Sequence, residues 1–198
     1  GMINENFAFL GAAIFALGSV GYFLDTLKGK VKPNRVTWFI WALAPLIAFA
    51  AQIKEGVDIH QSLLTFTVGF IPLLILVASF VNKKSYWKIG KLDITCGVLS
   101  LLGLLLWQIT GTGLIAIVIA IIADGLAALP TVIKSYKFPE TENWLLYFAN
   151  AVSAGITILT IKVWNLETFA FPLYILFLTG LLSVLIKFEI GKGVGNKF

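Results

Sequence analysis

Apolar positions along this chain fall into seven runs of about twenty residues, parted by short polar turns. The runs cover roughly 6–27, 35–53, 60–81, 92–109, 112–134, 142–162 and 167–187. About 20 apolar residues is the length at which a helix crosses a bilayer core. The runs are continuous and rich in Leu, Ile, Ala and Gly. Barrel strands would be about ten residues long with strict alternation, so helices are the expectation. The pattern therefore predicts an all-α integral membrane protein with seven transmembrane helices and no soluble domain.

Composition agrees. Of 198 residues, 59% are hydrophobic and 13% charged, and the mean hydropathy is +0.93. A soluble domain of this size could not hide so much apolar surface. The net charge of +5 is no nucleic-acid signal, because the charges sit between the apolar runs. Cys96 is the single cysteine, so no internal disulfide forms. Gly1 ahead of Met2 is set apart as an added residue. The first run is expected to stay as a span: no basic residue precedes it, and it is too long for a signal-peptide core.

Charge also predicts orientation. Lys28, Lys30, Lys32 and Arg35 follow the first run, and Lys83, Lys84, Lys88 and Lys91 follow the third. Lys134 and Lys137 follow the fifth, and Lys187, Lys192 and Lys197 the last. Only Lys54 and Lys162, of 15 Lys and Arg in all, are left for the other side. The positive-inside rule then places the N-terminus outside and the C-terminus in the cytoplasm, in a cell (inner) membrane.

The chain also repeats itself. Around the stretch Ile121–Asn150, Lys28 pairs with Lys134, Pro33 with Pro139, Trp38 with Trp144 and Trp41 with Tyr147 at one constant offset. Further on, Ile71-Pro72-Leu73-Leu74-Ile75-Leu76 matches Phe171-Pro172-Leu173-Tyr174-Ile175-Leu176. The expectation is one membrane domain, 1–198, of two parallel three-helix bundles, 6–81 and 112–187, joined by a linker helix at 92–109. The linker must cross the membrane for two odd-numbered copies to point the same way.

These corners resemble known families. Leu129-Pro130-Thr131 followed by Lys134-Ser135 is similar to a PQ-loop motif with Thr where the family has Gln. In the first copy Leu24-Asp25 stands where Pro-Gln would be. Glu142-Asn143-Trp144-Leu145-Leu146-Tyr147 resembles a stretch of the PnuC vitamin-precursor transporters. With the 3+1+3 arrangement, the chain resembles the SWEET, PQ-loop and PnuC-like superfamily. The resemblance implies alternating-access transport with helix prolines as hinges, and leaves the substrate open.

Asp124 is the sharpest single signal: an acid near the middle of an apolar run. Placing it there costs about 2.5–3.5 kcal/mol, so it needs a partner, a water-filled cavity or a proton. It is a candidate proton carrier, or else a structural hydrogen-bonding group. Asp124, Ala128 and Thr131 share a helix face, and the matching face of the first run holds Gly18, Tyr22 and Asp25. If the halves face each other, both faces line one pathway; Asp25, close to Lys28, could instead be an interfacial charge. Asn143, Tyr147, Asn150, Ser153 or Ala154, and Thr157 form a polar stripe on the sixth run. Such a stripe suits a polar solute or, equally, hydrogen bonds between helices. Trp41 opposite Tyr147 could wall a ring-shaped ligand. Trp38, Trp144, Trp107 and Trp164 suit an interfacial aromatic belt. Pro45, Pro72, Pro130 and Pro172 lie inside helices and are candidate hinges, or static kinks. Gly97, Ser100, Gly103 and Leu104 share a face suited to close helix packing, and Asp93 reads as interfacial. The acidic turn at Glu140 and Glu142 is expected to cap the sixth helix.

No Ser-His-Asp set, HExxH, CxxC or phosphate-binding glycine loop occurs, and His60 stands alone. Neither enzyme, metal site nor cofactor is expected. The partners expected are the lipid bilayer and a small polar solute, with protons as a coupling ion. The leading expectation is a small-solute transporter. The alternative is a non-transporting seven-helix receptor or scaffold on the same fold, as in retrieval receptors. A retinal protein would need a lysine midway along the last helix, whereas Lys187 ends it.

Overall fold

The computed structural model describes residues 1–195, with all their side chains except those of His60 and Gln61. Lys197 and the His60 side chain, both named above, lie outside the described residues. Seven α-helices follow one another: α1 Phe7–Leu27, α2 Arg35–Glu55, α3 Ile59–Ala78, α4 Lys91–Thr110, α5 Leu114–Lys137, α6 Trp144–Thr160 and α7 Leu166–Lys187. No strand occurs among the described residues. Five helices (α1, α2, α4, α5 and α7) are long and apolar enough to cross a membrane. The apolar part of α3, Ser62–Ala78, and α6 are shorter. The outer surface is apolar, with Leu102, Leu105, Leu106 and Ile109 of α4 all more than half exposed. That surface suits lipid rather than water.

The helix ends are written locally. Asn34 caps α2 by accepting from Thr37 N at 3.1 Å, and Gly56 closes it in the left-handed region. Both roles follow known capping preferences. Asn165 caps α7 by accepting from Thr168 N. At α6 the cap is Asn143, accepting from Leu145 N at 2.9 Å. Glu142 does not cap α6 as expected: its carboxylate turns inward and is buried.

Helix α1 packs along α6 and against α3, and α3 lies along α2. In the same way α5 packs against α2 and α7, and α7 lies along α6. Helix α4 lies along α5 and touches α2. Small residues make these contacts close, since helices in lipid associate by packing rather than by hydrophobic burial. A Cβ on Gly18 would lie 2.3 Å from the Ala149 Cβ, fixing α1 on α6. A Cβ on Gly103 would meet Ala123 at 2.8 Å, and one on Gly97 would meet Val36 at 2.7 Å. The Ser100 hydroxyl donates to the Ala123 carbonyl at 2.6 Å. The small face of α4 is thus a packing surface.

Burial is uneven along the helix axes. The basic turns at 28–34 and 79–90 and the acidic turn at 138–143 share one end of the bundle, here called the basic end, and the core gathers there. Among the described residues, no position of α2 beyond Ala42, of α6 beyond Ala154, or of α7 before Thr179 is buried. The half of the bundle away from the basic end is loosely filled, and this unevenness creates the site.

Candidate functional site

A cavity of about 260 Å³ lies between the helices, with walls from α1, α2, α3, α5, α6 and α7. Asp124 of α5 is half-buried on its wall. The Tyr174 hydroxyl of α7 donates to Asp124 Oδ2 at 2.6 Å. Trp41 of α2 lies on the same wall. The Tyr174 hydroxyl thus partly compensates the charge that the apolar run would otherwise leave bare.

Helix α6 supplies the polar wall. Tyr147, Asn150, Ser153, Ala154 and Thr157 recur at helical spacing and all line the cavity. The fifth member of the expected stripe, Asn143, lies below it as the cap of α6. Its amide also donates to Asp25 Oδ2 at 2.9 Å, tying the end of α1 to the start of α6. Pro45, Pro72 and Pro172 line the cavity as well. Pro45 and Pro72 cannot donate to the carbonyls of Trp41 and Val68 four residues back, and both of those residues are cavity walls. Pro130 is buried on α5 away from the cavity.

The structure thus brings Asp124, Asn150, Tyr147 and Trp41 together around one space. Tyr22, Asp25 and Thr131 do not line it. Thr131 Oγ1 donates to Thr37 Oγ1 at 2.8 Å, and Thr37 Oγ1 donates to the Ala127 carbonyl at 2.6 Å, which joins α5 to α2. Tyr22, Asp25 and Thr131 are instead engaged in contacts between helices.

Tyr22 belongs to the seal at the basic end. Its hydroxyl donates to Glu142 Oε2 at 2.7 Å, and the Tyr147 hydroxyl donates to the same oxygen at 3.1 Å. Lys134 Nζ donates to Glu142 Oε1 at 2.7 Å, with the two side chains 1% and 0% exposed. The ammonium also lies 5.1 Å from the Trp87 ring centre. Above this cluster the rings of Tyr22, Trp38, Trp41 and Tyr147 pack with centroids 5.1–6.5 Å apart. Trp38 was expected in an interfacial belt; instead it is 1% exposed in this cluster. Trp107 likewise lies half-buried against a second cavity. Trp164, more than half exposed, and Trp144, half-buried with Lys187 Nζ 4.3 Å above its ring, stay peripheral. Asp93 is buried too, accepting from the Asn34 amide and from Gly90 N.

Sequence reasoning missed Glu142, Lys134, Tyr174 and Trp38. Tyr174 left a trace, since it stands where the first copy of its motif has Leu74. Glu142 left none, because an acid ahead of a helix looks like an ordinary cap. No group of three or more His, Cys, Asp and Glu that could hold a metal occurs among the described residues. No protein-family model, curated protein or solved structure matches the chain.

Proposed function

We propose that this chain is a small-solute transporter of the SWEET, PQ-loop and PnuC-like kind. Solute passes between two three-helix halves by alternating access, with protons coupled through Asp124. The carrying observation is the cavity itself: it holds an intramembrane carboxylate, draws walls from both halves, is sealed at one end and is loosely filled toward the other. Intramembrane acids facing a cavity mark solute or proton paths.

Three features support the halves. Exchanging α1 for α5, α2 for α6 and α3 for α7 leaves the pattern of helix contacts unchanged, and only α4 breaks it. Asn34 and Asn143 cap the equivalent helices α2 and α6. Pro72 and Pro172 sit on equivalent helices and both face the cavity. In this reading all seven helices span, the basic end is cytoplasmic, and the form seen here is open to the outside. Tyr22 to Glu142, Asn143 to Asp25 and Thr131 to Thr37 are bonds between halves that inward opening must break.

Facing Asp124 are Tyr174 from α7 and the uncharged Trp41 from α2, while Leu104 and Trp107 of α4 share its second cavity. A proton arriving there has this carboxylate as its acceptor. Thermal stability of the purified protein against a panel of small metabolites, for wild type and Asp124→Asn at several pH values, tests the proposal. The expected result is stabilisation by a solute that depends on both pH and Asp124, and uptake of that solute into proteoliposomes. Absence of any stabilising solute at millimolar concentration, with Asp124→Asn folding normally, would favour a scaffold.

A further inference from the structure

We infer that the solute is an amphiphilic amine: a monovalent organic cation whose charged head lies against Asp124 and whose apolar tail enters a second cavity. The inference rests on the transporter reading above and names its ligand class.

The second cavity, also about 260 Å³, shares Asp124, Pro45, Val68 and Phe171 with the first. Asp124 therefore stands on the wall common to two chambers. Among the described residues the rest of the second chamber is Ile40, Ala44, Ala48, Leu104, Trp107 and Ala120, with the single hydroxyl of Thr65. Each chamber alone is just below the roughly 300–1,000 Å³ of typical small-molecule sites, so a ligand in two parts fits better than one in either.

The charge balance sets the head. An ionised carboxylate has about four acceptor positions, and the Tyr174 hydroxyl occupies one. Among the described residues neither chamber has a Lys, Arg or His on its walls. Of the two lysines on the same helix, Lys134 is already paired with Glu142 and Lys137 is the last residue of the helix. The missing positive charge must come with the ligand or as a proton. An anion would be repelled, and a neutral polyol would leave the second, apolar chamber empty. The Trp41 and Tyr147 rings, which also line the first chamber, pack edge-on with centroids 6.5 Å apart. In the second chamber, where Thr65 is the lone hydroxyl among the described residues, a polar tail would find few partners; an apolar tail needs none.

The test uses the purified full chain and a series of phenylalkylammonium ions from benzyl to phenylbutyl, with the matching phenylalkanols and phenylalkanoates. Binding is followed by thermal stabilisation and tryptophan fluorescence. The expected result is saturable binding of the amines alone, tightening roughly three- to fourfold per added methylene. Asp124→Asn should bring amine and alcohol to equal affinity. Ala120→Phe or Ala48→Phe, which fill the second chamber, should abolish the dependence on length but keep benzylammonium binding. Should Asp124→Asn fail to fold, the comparison of head groups in wild type still decides.

Alcohols or carboxylates binding as well as the amines would overturn the inference. So would a length dependence that neither filling variant changes, because that is partitioning into detergent. Uptake into proteoliposomes separates the two proposals. Tail- and Asp124-dependent binding without uptake supports the ligand class and removes transport. Uptake of a neutral solute with no amine binding removes the ligand class and leaves transport standing.

Discussion

Substituting Glu142 by Gln is the sharpest probe of how this bundle is closed. The amide keeps its size and can still accept from the Tyr22 and Tyr147 hydroxyls, which lie 2.7 and 3.1 Å from one carboxylate oxygen. What is lost is the negative charge 2.7 Å from Lys134 Nζ, whose side chain is 1% exposed. An ammonium stripped of its buried partner costs about 3–5 kcal/mol. At roughly 2–4 °C per kcal/mol for a chain of this length, the melting temperature should fall by about 6–20 °C. Adding Lys134→Met removes the stranded charge and should recover most of the loss, since a buried pair replaced whole is often close to neutral. Lys134→Met alone should fall between, because both tyrosines still hold the carboxylate. The assay is built into the chain: Cys96 is the only cysteine and is 3% exposed. A thiol-reactive fluorophore therefore labels it only as the bundle unfolds. A Glu142→Gln melting point within about 2 °C of wild type, or a further drop on adding Lys134→Met, would refute a tightly coupled buried pair.

Three further outcomes are expected in the same assay. Tyr174→Phe removes the donor 2.6 Å from Asp124 and should cost about 1.5–3 kcal/mol at neutral pH, the usual worth of a hydrogen bond to a charged group; an unchanged melting point would mean that the bond carries no weight. Gly18→Ala should destabilise strongly through its clash with Ala149, while Gly18→Ala with Ala149→Gly should return close to wild type; failure of the second change to rescue would place the strain elsewhere. Glu5 and Lys162 form a 2.8 Å pair on fully solvated side chains, and the Lys162 bond and charge hold the Glu5 carboxyl below its usual range. The sign follows: any stabilisation is present above the ordinary carboxyl value and fades as pH falls through the lowered one. Because the pair is exposed it should be worth little, so Glu5→Gln should leave the melting point unchanged from pH 7 to pH 3, and a clear loss at pH 7 would contradict this.

Helix positions were legible in the sequence because the membrane solvent enforces one rule. Each run must satisfy its own backbone, so length and apolarity alone mark α1 and α5 to within a few residues. The caps at Asn34 and Asn165 and the glycine stop at Gly56 are local features that the apolar pattern alone did not mark. The α6 stripe from Tyr147 to Thr157 was legible, since one helix face keeps one environment over almost three turns.

What lies across that face is set by other helices. Gly18 and Asp124 are equivalent in the sequence repeat, yet one is pressed against Ala149 and the other borders two cavities. The difference comes from which neighbour each helix meets and how closely, which no local pattern encodes. Glu142 shows the same limit. In one dimension it is an acid before a helix, and only the meeting of α1, α5 and α6 makes it the acceptor of two tyrosines and a lysine. The sequence by itself determined the membrane class, the helices, their ends and the depth of the lone acid, because bilayer thickness and backbone hydrogen bonding act on contiguous residues. The tertiary structure alone decided which polar groups face a cavity and which tie helices together, because desolvation and pairing depend on groups far apart in the chain.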